Sequence, residues 1–251
     1  MKNMFQHTGR VSTVFTLDLG DKFNTSRVNY MDYMFNYTGY TSEEFTLDLE
    51  DKFDTSKVTN MSNMFSYAGY NSEVFTLDLG DKFDTSNVTN MNSMFNRMGY
   101  YSEELTLDLG NKFNTAKVTN MEGMFNATGV QSIIFTLDLG NHFDTSNVTN
   151  MVNMFYQTGY SSTVFTLNLG SKFDTSKVTS MESMFDNAGV RNENFVLDLS
   201  TFNFDNVTVF TNMFRAFGAT QTIYVKNASD QALLVSQGFA NVTSSNVLIK
   251  T

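Results

Sequence analysis

The chain repeats itself every 30 residues, and no other feature of the sequence constrains its fold as strongly. Aligned on this period, one column holds six phenylalanines and one leucine: Phe15, Phe45, Phe75, Leu105, Phe135, Phe165 and Phe195. The unit from residue 45 to residue 74 reads FTLDLEDKFDTSKVTNMSNMFSYAGYNSEV. A fixed period of roughly 20 to 50 residues is typical of solenoids, in which each unit stacks on its neighbours. The sequence therefore predicts a leucine-rich-repeat-like solenoid with 30 residues per turn.

The start of each unit has the pattern of a short β-strand. Phe75, Leu77 and Leu79 alternate with Thr76 and Asp78. A period of two places successive side chains on opposite faces of a strand. We expect short parallel strands, with the Phe and Leu columns pointing into the core and the Thr and Asp columns pointing outward.

A turn with one inward phenylalanine follows the strand. In the segment GDKFDTS, Phe83 is the apolar residue, and Asp84 is placed to close an Asx turn on the backbone. No single unit can bury its apolar residues alone, whereas stacked units share one core. Because the Met and Phe pattern recurs in every unit, it indicates core packing rather than a cofactor-binding role.

The second half of each unit has helical spacing. Met91, Met94 and Phe95 lie at i, i+3 and i+4, which places their side chains on one face of a helix. Asn90 is suited to cap such a helix, and Gly99 is suited to end it with a left-handed residue. The same frame recurs at residues 60–69, 120–129 and 150–159. We therefore predict a short helix of two turns on the other side of each unit.

The repeat ends near residue 218. We predict a solenoid of about seven turns over residues 1–218, the first one truncated, and a C-terminal capping segment over residues 219–251. Within that segment the pattern indicates a strand at Thr222–Val225, a helix at Ser229–Gln237 and a strand at Val247–Lys250. Solenoids need such a segment to cover the last layer of the core.

The N-terminal end has no corresponding cap. The opening MKNMF is in register with Met31–Phe35, so the chain starts in the middle of a unit. We expect that it is a fragment whose targeting signal, anchor and N-terminal cap lie elsewhere in a longer protein. The uncapped first turn would expose an apolar layer through which two copies could self-associate.

Composition excludes several classes of function. The chain has no cysteine and only two histidines, His7 and His142, which leaves little material for thiol or imidazole chemistry. Its net charge of -10 argues against nucleic acid, because phosphate binding requires clustered Lys and Arg. The sequence contains no stretch of about 18 consecutive apolar residues, so it does not predict direct insertion into a membrane. We expect a protein that is not an enzyme and has no catalytic residues.

The repeated motifs resemble a known class of bacterial repeat. LDLxxKFDTSKVTNMxxMF and LDLxxFxxxNVTxxxxMF recur between Leu17 and Phe214, and IYVKNASD follows them at Ile223–Asp230. These motifs resemble the BspA-like leucine-rich repeats of bacterial surface proteins, a class also abundant among mycoplasma surface lipoproteins. The resemblance implies an extracellular protein attached to the bacterial cell surface. It also implies that the partner is a protein or glycan on host or neighbouring cells.

The loop after each Met-Phe motif varies between units and is rich in tyrosine. Loops aligned along one edge of a rigid array are where repeat proteins usually place recognition, and tyrosine supplies contact area at low entropic cost. The predicted binding residues are Tyr37, Tyr40, Tyr67, Tyr70, Tyr100, Tyr101, Tyr156 and Tyr160. The alternative for the four tyrosines that follow a glycine is inward packing; these are Tyr40, Tyr70, Tyr100 and Tyr160.

An outward column of aspartates is the second candidate feature. It contains Asp18, Asp48, Asp78, Asp108, Asp138 and Asp198, and Asn168 interrupts it. Carboxylates on strands stacked about 4.8 Å apart repel each other by roughly 1 kcal/mol in a water-like dielectric. Three features could offset this repulsion: hydrogen bonds within the turns, bound cations such as calcium, and a parallel lysine column. The lysine column consists of Lys22, Lys52, Lys82, Lys112 and Lys172. We expect a structural ladder and no cofactor, with a column that binds calcium as the alternative.

The sequence therefore favours an adhesion or protein-interaction module. A passive spacer that displays another domain is the alternative, and its loops would lack an aromatic excess. Ice binding is a third alternative, because an outward threonine column can match an ice lattice. The adjacent aspartate column argues against ice binding, since charged and strongly hydrated groups disturb such a match.

Overall fold

The computed structural model describes residues 1–19, 23–49, 53–80, 82–110 and 112–251. The chain is a β-solenoid of about seven turns with about 30 residues per turn, as the repeat predicts. The repeat strands are β1 (Val14–Leu17), β2 (Glu44–Asp48), β3 (Val74–Asp78), β4 (Glu104–Asp108), β5 (Ile134–Asp138), β6 (Val164–Asn168) and β7 (Val196–Asp198). The C-terminal segment adds β8 (Thr222–Val225), α1 (Ala228–Ser236) and β9 (Val247–Ile249).

The strands are parallel and pair residue for residue between turns. Phe45 of β2 pairs with Phe75 of β3, and Thr46 pairs with Thr76. Phe75 and Leu77 are completely buried, whereas the outward side chains are half-buried or exposed. This alternation confirms the predicted inward and outward columns.

The predicted helix in each repeat unit is wrong. The Met91 N–H donates 3.1 Å to the Asn120 carbonyl of the next turn, and the Phe95 N–H donates 2.9 Å to the Met124 carbonyl. A helix would direct these donors to carbonyls four residues earlier in the same unit. Within the unit, the Met94 N–H instead closes a β-turn on the Met91 carbonyl at 3.2 Å. Stacked β-turns therefore replace the helix, and α1 is the only helix in the described ranges.

Stacked β-turns account for the helical spacing of the apolar residues in each unit. Ser93 and Arg97 adopt left-handed backbone conformations, with φ of 54° and 55°. These residues close two consecutive turns and bring Met91, Met94 and Phe95 to the same inward side. The Asn90 side chain accepts a 3.0 Å hydrogen bond from the Asn92 N–H, which is an Asx turn rather than a helix cap.

Stacks of phenylalanine fill the core. One column runs through Phe35, Phe65, Phe95, Phe125 and Phe155. Its neighbouring rings lie 5.3 to 5.7 Å apart and within 10° of parallel. All five side chains are completely buried. Each such burial contributes about 1.5–3 kcal/mol, so the stacked units stabilise one another.

Buried hydroxyl groups connect the turns. The completely buried Thr85 donates a 2.7 Å hydrogen bond from its Oγ1 to the Asn114 carbonyl of the next turn, and Thr55 donates likewise to Asp84 at 2.8 Å. Asp84 also accepts a 2.8 Å hydrogen bond from the Ser86 N–H, which is the Asx turn predicted at this position. These bonds satisfy polar groups that would otherwise be costly to bury.

The two ends of the described chain differ. In the first turn, Phe5, Phe15 and Phe23 are half-buried, whereas their equivalents in later turns are buried. At the other end, β8 and β9 extend the parallel sheet of β7. The predicted elements of the C-terminal segment therefore form, with α1 beginning and ending one residue earlier than expected. No helix in the described ranges is long and apolar enough to cross a membrane.

The stack of strands is interrupted twice. β1 to β4 form one sheet, β5 and β6 a second, and β7 to β9 a third. A groove of about 570 Å³ lies between β4 and β5. Leu105, which replaces phenylalanine in its column, lies beside this groove. The Asn120 and Asn150 backbones still form a parallel bridge on another side of the solenoid, so its turns remain connected.

Candidate functional site

Tyrosines from successive turns stack in two columns on the loop edge. In the first column, the rings of Tyr37 and Tyr67 lie 4.4 Å apart and within 6° of parallel. In the second, Tyr40 and Tyr70 lie 5.0 Å apart at 2°, and Tyr100 continues the stack 5.0 Å from Tyr70. The repeat therefore brings together side chains that are 30 residues apart in sequence.

The two columns contact each other and form one surface. Tyr37 lies 5.2 Å from Tyr40, and Tyr67 lies 5.4 Å from Tyr70. Tyr101 packs edge-on against Tyr70 at 5.3 Å and is 47% exposed. We call this group the tyrosine surface; it consists of Tyr37, Tyr40, Tyr67, Tyr70, Tyr100 and Tyr101.

The backbone holds these rings at the spacing of the solenoid turns. The Tyr67 N–H donates a 2.8 Å hydrogen bond to the Asn96 carbonyl, and the Tyr101 N–H donates one of 2.8 Å to the Tyr70 carbonyl. Tyr37 and Tyr67 both have φ of 59°, a left-handed conformation that is uncommon for bulky residues. The inter-turn hydrogen bonds determine this conformation, so the rings are positioned before any partner arrives.

Three residues outside the predicted binding set complete the tyrosine columns. The Arg97 guanidinium lies 5.4 Å from the Tyr67 ring centroid, and its Nη1 donates a 2.9 Å hydrogen bond to the Tyr67 hydroxyl. Arg10 lies 5.7 Å from the ring centroid of Tyr40, and the His7 ring lies 4.9 Å from that of Tyr37. Each occupies the repeat position of a tyrosine in another turn, and that alignment is the signal that could have identified them.

Packing raises the pKa of two tyrosines of the surface. Burial, followed by repulsion from the neighbouring tyrosines, raises the pKa of Tyr70 to about 12. Burial and the adjacent Tyr67 likewise raise the pKa of Tyr37. The raised pKa values extend to higher pH the range in which the hydroxyl groups of Tyr37 and Tyr70 are protonated and can donate hydrogen bonds.

The remaining predicted tyrosines lie apart from this surface. Tyr156 and Tyr160 are half-buried, and the described residues show no ring contact between them and the tyrosine surface. The buried Val130 interrupts the second column between Tyr100 and Tyr160. The tyrosines that follow a glycine are also half-buried, so they pack partly inward while part of each side chain reaches solvent.

The aspartate column forms hydrogen bonds within its turns. Asp78, Asp108 and Asp138 each accept a hydrogen bond of 2.8 to 2.9 Å from the N–H of the glycine two residues later. Asn168 accepts the equivalent bond at 3.0 Å, so an amide oxygen serves as well as a carboxylate here. Asp198 accepts from the Ser200 N–H at 3.0 Å and also binds Lys250. Asp18 and Asp48 are exposed on the same outward face.

The lysine column is only partly described. Lys22 and Lys52 lie outside the described residues, whereas Lys82, Lys112 and Lys172 are exposed. Hydrogen bonding from Ser146, and secondarily the charge of Lys172, lowers the pKa of Asp144 in the adjacent turn segment. Among the described residues, no group of three or more His, Asp or Glu is placed to hold a metal ion.

Comparison with known proteins identifies one family. A family model described as DUF285, a Mycoplasma protein of unknown function, matches residues 1–134, 69–166 and 131–250. The three matches together span almost the whole chain and overlap as a tandem repeat would. The chain has no match among the curated proteins or the solved structures.

Proposed function

We propose that this chain, which belongs to the DUF285 family of Mycoplasma proteins of unknown function, is a non-catalytic adhesion or protein-interaction module. The observation that carries the proposal is the tyrosine surface, in which six side chains from three turns contact one another. Its ligand is a protein or glycan on a host or neighbouring cell.

Tyrosine supports such a role energetically. Aromatic residues dominate binding hot spots because they bury a large area and lose few rotamers on binding. The stacked rings are held by neighbouring turns, so ordering them costs little when a ligand binds. Tyr101 is the most accessible ring of the surface and is the expected anchor.

The surface location is part of the same proposal. The repeat motifs resemble those of BspA-like surface proteins, and a surface-attached bacterial protein meets host or neighbouring cells directly. A rigid solenoid also suits this location, because it presents a fixed edge to a partner. Labelling of intact cells with an antibody against the chain, before and after surface proteolysis, tests this location.

A passive spacer is the second candidate. The phenylalanine stacks continue through successive turns and would make the solenoid a stiff rod, which favours that role. A spacer, however, does not need the tyrosine surface. The two functions therefore differ in the effect of changing those tyrosines.

The test measures binding of the chain to extracellular-matrix proteins, cell-surface glycans and whole cells, with and without calcium. The variant Tyr67→Ser/Tyr101→Ser is compared with Tyr156→Ser/Tyr160→Ser, which changes the same residue type away from the tyrosine surface. Circular dichroism and thermal melting confirm that both variants fold. Saturable binding lost only in the first variant supports adhesion, whereas equal binding by both variants or no binding by the wild type supports the spacer.

A further inference from the structure

Five exposed glutamates lie beside the tyrosine surface. They are Glu43, Glu44, Glu73, Glu103 and Glu104. The Glu73 N–H donates a 2.8 Å hydrogen bond to the Glu43 carbonyl, and the Glu103 N–H donates one of 3.0 Å to the Glu73 carbonyl. The same ladder that stacks the tyrosines therefore also stacks Glu43, Glu73 and Glu103, three residues further along each turn. Glu44 and Glu104 lie on the adjoining strands, where Val74 separates them.

These carboxylates form no ion pair within the described chain. The ion pairs there join Lys2 to Asp32, Arg215 to Asp186 and Lys250 to Asp198, and none includes the five glutamates. Stacked like charges repel one another, and the net charge of -10 adds to that repulsion. A cationic partner would relieve it.

The contacting tyrosines and the five glutamates occupy the same three consecutive turns. In the next turn, Ala127 and Val130 replace the stacked tyrosines, and the exposed Ile133 and Ile134 replace the glutamates. Glutamate returns to this column only at Glu193, in a turn where Val190 stands at the tyrosine position. The run of three consecutive turns that carry both residue types is the basis for treating them as one interaction surface.

The tyrosine surface already accommodates two guanidinium groups of the chain itself. Arg97 lies against Tyr67 and Arg10 lies against Tyr40, at distances suited to cation–π attraction. The aromatic rings are therefore compatible with arginine. Because five glutamates outnumber these two arginines, the surface as a whole carries negative charge.

We propose that the tyrosine surface, with its rim of glutamates, binds a basic protein segment rich in arginine or lysine. The inference rests on the proposed function and specifies its partner. Tyrosine rings supply the apolar and cation–π contacts, and the glutamates supply the opposing charge that accelerates encounter and selects against acidic partners.

The test uses a synthetic peptide of alternating arginine and serine, and a matched peptide with glutamate in place of arginine. Fluorescence anisotropy measures the Kd of each peptide for the full chain at low and moderate salt. The variant Glu43→Lys/Glu73→Lys/Glu103→Lys is compared with Glu182→Lys/Glu193→Lys/Asp205→Lys. The control changes the net charge equally on exposed residues outside the surface, and Glu193 occupies the same repeat column as Glu43.

We expect the arginine peptide to bind the wild-type chain and the glutamate peptide not to bind. The surface triple variant should weaken arginine-peptide binding about tenfold more than the control variant, because attraction becomes repulsion at the site. Equal weakening by both variants would show a general effect of net charge and overturn the inference. Preference for the glutamate peptide would also overturn it.

The Tyr67→Ser/Tyr101→Ser variant separates failure of the inference from failure of the proposed function. If this variant loses binding to a cellular ligand while the charge variants retain it, the basic partner is wrong and the tyrosine surface remains the binding site. If the tyrosine variant retains all binding, the proposed function itself fails.

Discussion

The Cβ atom that Gly69 lacks would lie 2.6 Å from the ring of Phe75. Gly69 also has φ of 54°, in the left-handed region that favours glycine. Two constraints therefore act at this position, one from the backbone and one from the phenylalanine packed on it. Gly123 has a similar φ of 59°. The Cβ atom that Gly123 lacks, however, would lie 3.4 Å from the Ser93 Oγ, which is an ordinary contact distance.

These two glycines separate backbone strain from steric overlap. Gly123→Ala should destabilise the fold by about 1 kcal/mol, the usual cost of a left-handed alanine. Gly69→Ala should cost roughly 3 kcal/mol or more, because it adds overpacking against Phe75. Urea denaturation measures both free energies of unfolding. Equal losses in the two variants would contradict the packing of Phe75 on Gly69.

The buried Thr85 hydroxyl should contribute to stability through the next turn. Thr85→Val keeps the shape of the side chain but leaves the Asn114 carbonyl without the 2.7 Å hydrogen bond from the Thr85 Oγ1. The expected loss is about 1–3 kcal/mol. Thr85→Ser retains the hydroxyl and should recover part of this loss in the same denaturation experiment. A valine variant as stable as the wild type would show that the bond has no net effect.

Tyr70 should ionise at unusually high pH. Its pKa is raised to about 12, mainly by burial, whereas an unfolded tyrosine ionises near pH 10. The unfolded chain therefore loses this proton first, and the free energy of unfolding should fall as the pH rises from about 10 to about 12. Titration of tyrosinate absorbance measures the pKa. Tyr70→Phe should remove a high-pH transition, and retention of the full titration curve would contradict the assignment.

The pair between Lys250 and Asp198 should make the C-terminal end sensitive to acid. Burial alone would raise the pKa of Asp198, but hydrogen bonds from Lys250 and Ser200 outweigh it and hold this pKa below its usual value. A lowered pKa stabilises the fold above the unfolded value of about 4, and that stabilisation disappears as the pH falls through the folded pKa. Because both side chains are about half exposed, the effect should stay below about 1 kcal/mol.

Hydrogen exchange in β9 detects this small effect locally. Asp198→Asn should speed exchange in β9 at neutral pH, and the difference from wild type should vanish in acid. Asp205→Asn, at an exposed position, is the control and should leave β9 unchanged. Faster exchange that persists equally in acid would show that the substitution acts through packing rather than through charge.

Sequence alone predicted the parts of the fold that depend on local alternation and on the repeat. Phe75 and Leu77 alternate with polar residues, so their inward direction follows from the geometry of any strand. The sequence could not distinguish a helix from stacked β-turns, because both structures place Met91, Met94 and Phe95 on one side. The choice depends on whether the Phe95 N–H donates within its own unit or to Met124 of the next turn.

For the candidate site, composition and spacing identified eight tyrosines. They did not show which six of these contact one another. Tyr37, Tyr40, Tyr67, Tyr70, Tyr100 and Tyr101 form one surface, whereas Tyr156 and Tyr160 lie apart from it. Only the structure identified the role of Arg97, because Arg97 contacts the ring of Tyr67, which lies 30 residues away in sequence.

The sequence by itself therefore determined the period, the inward columns and the edge that carries the variable loops, because these follow from local geometry repeated along one chain. The tertiary structure decided the path of the second half of each unit and the grouping of the tyrosines. Those features depend on hydrogen bonds and ring contacts between turns, and such contacts arise only when the turns stack.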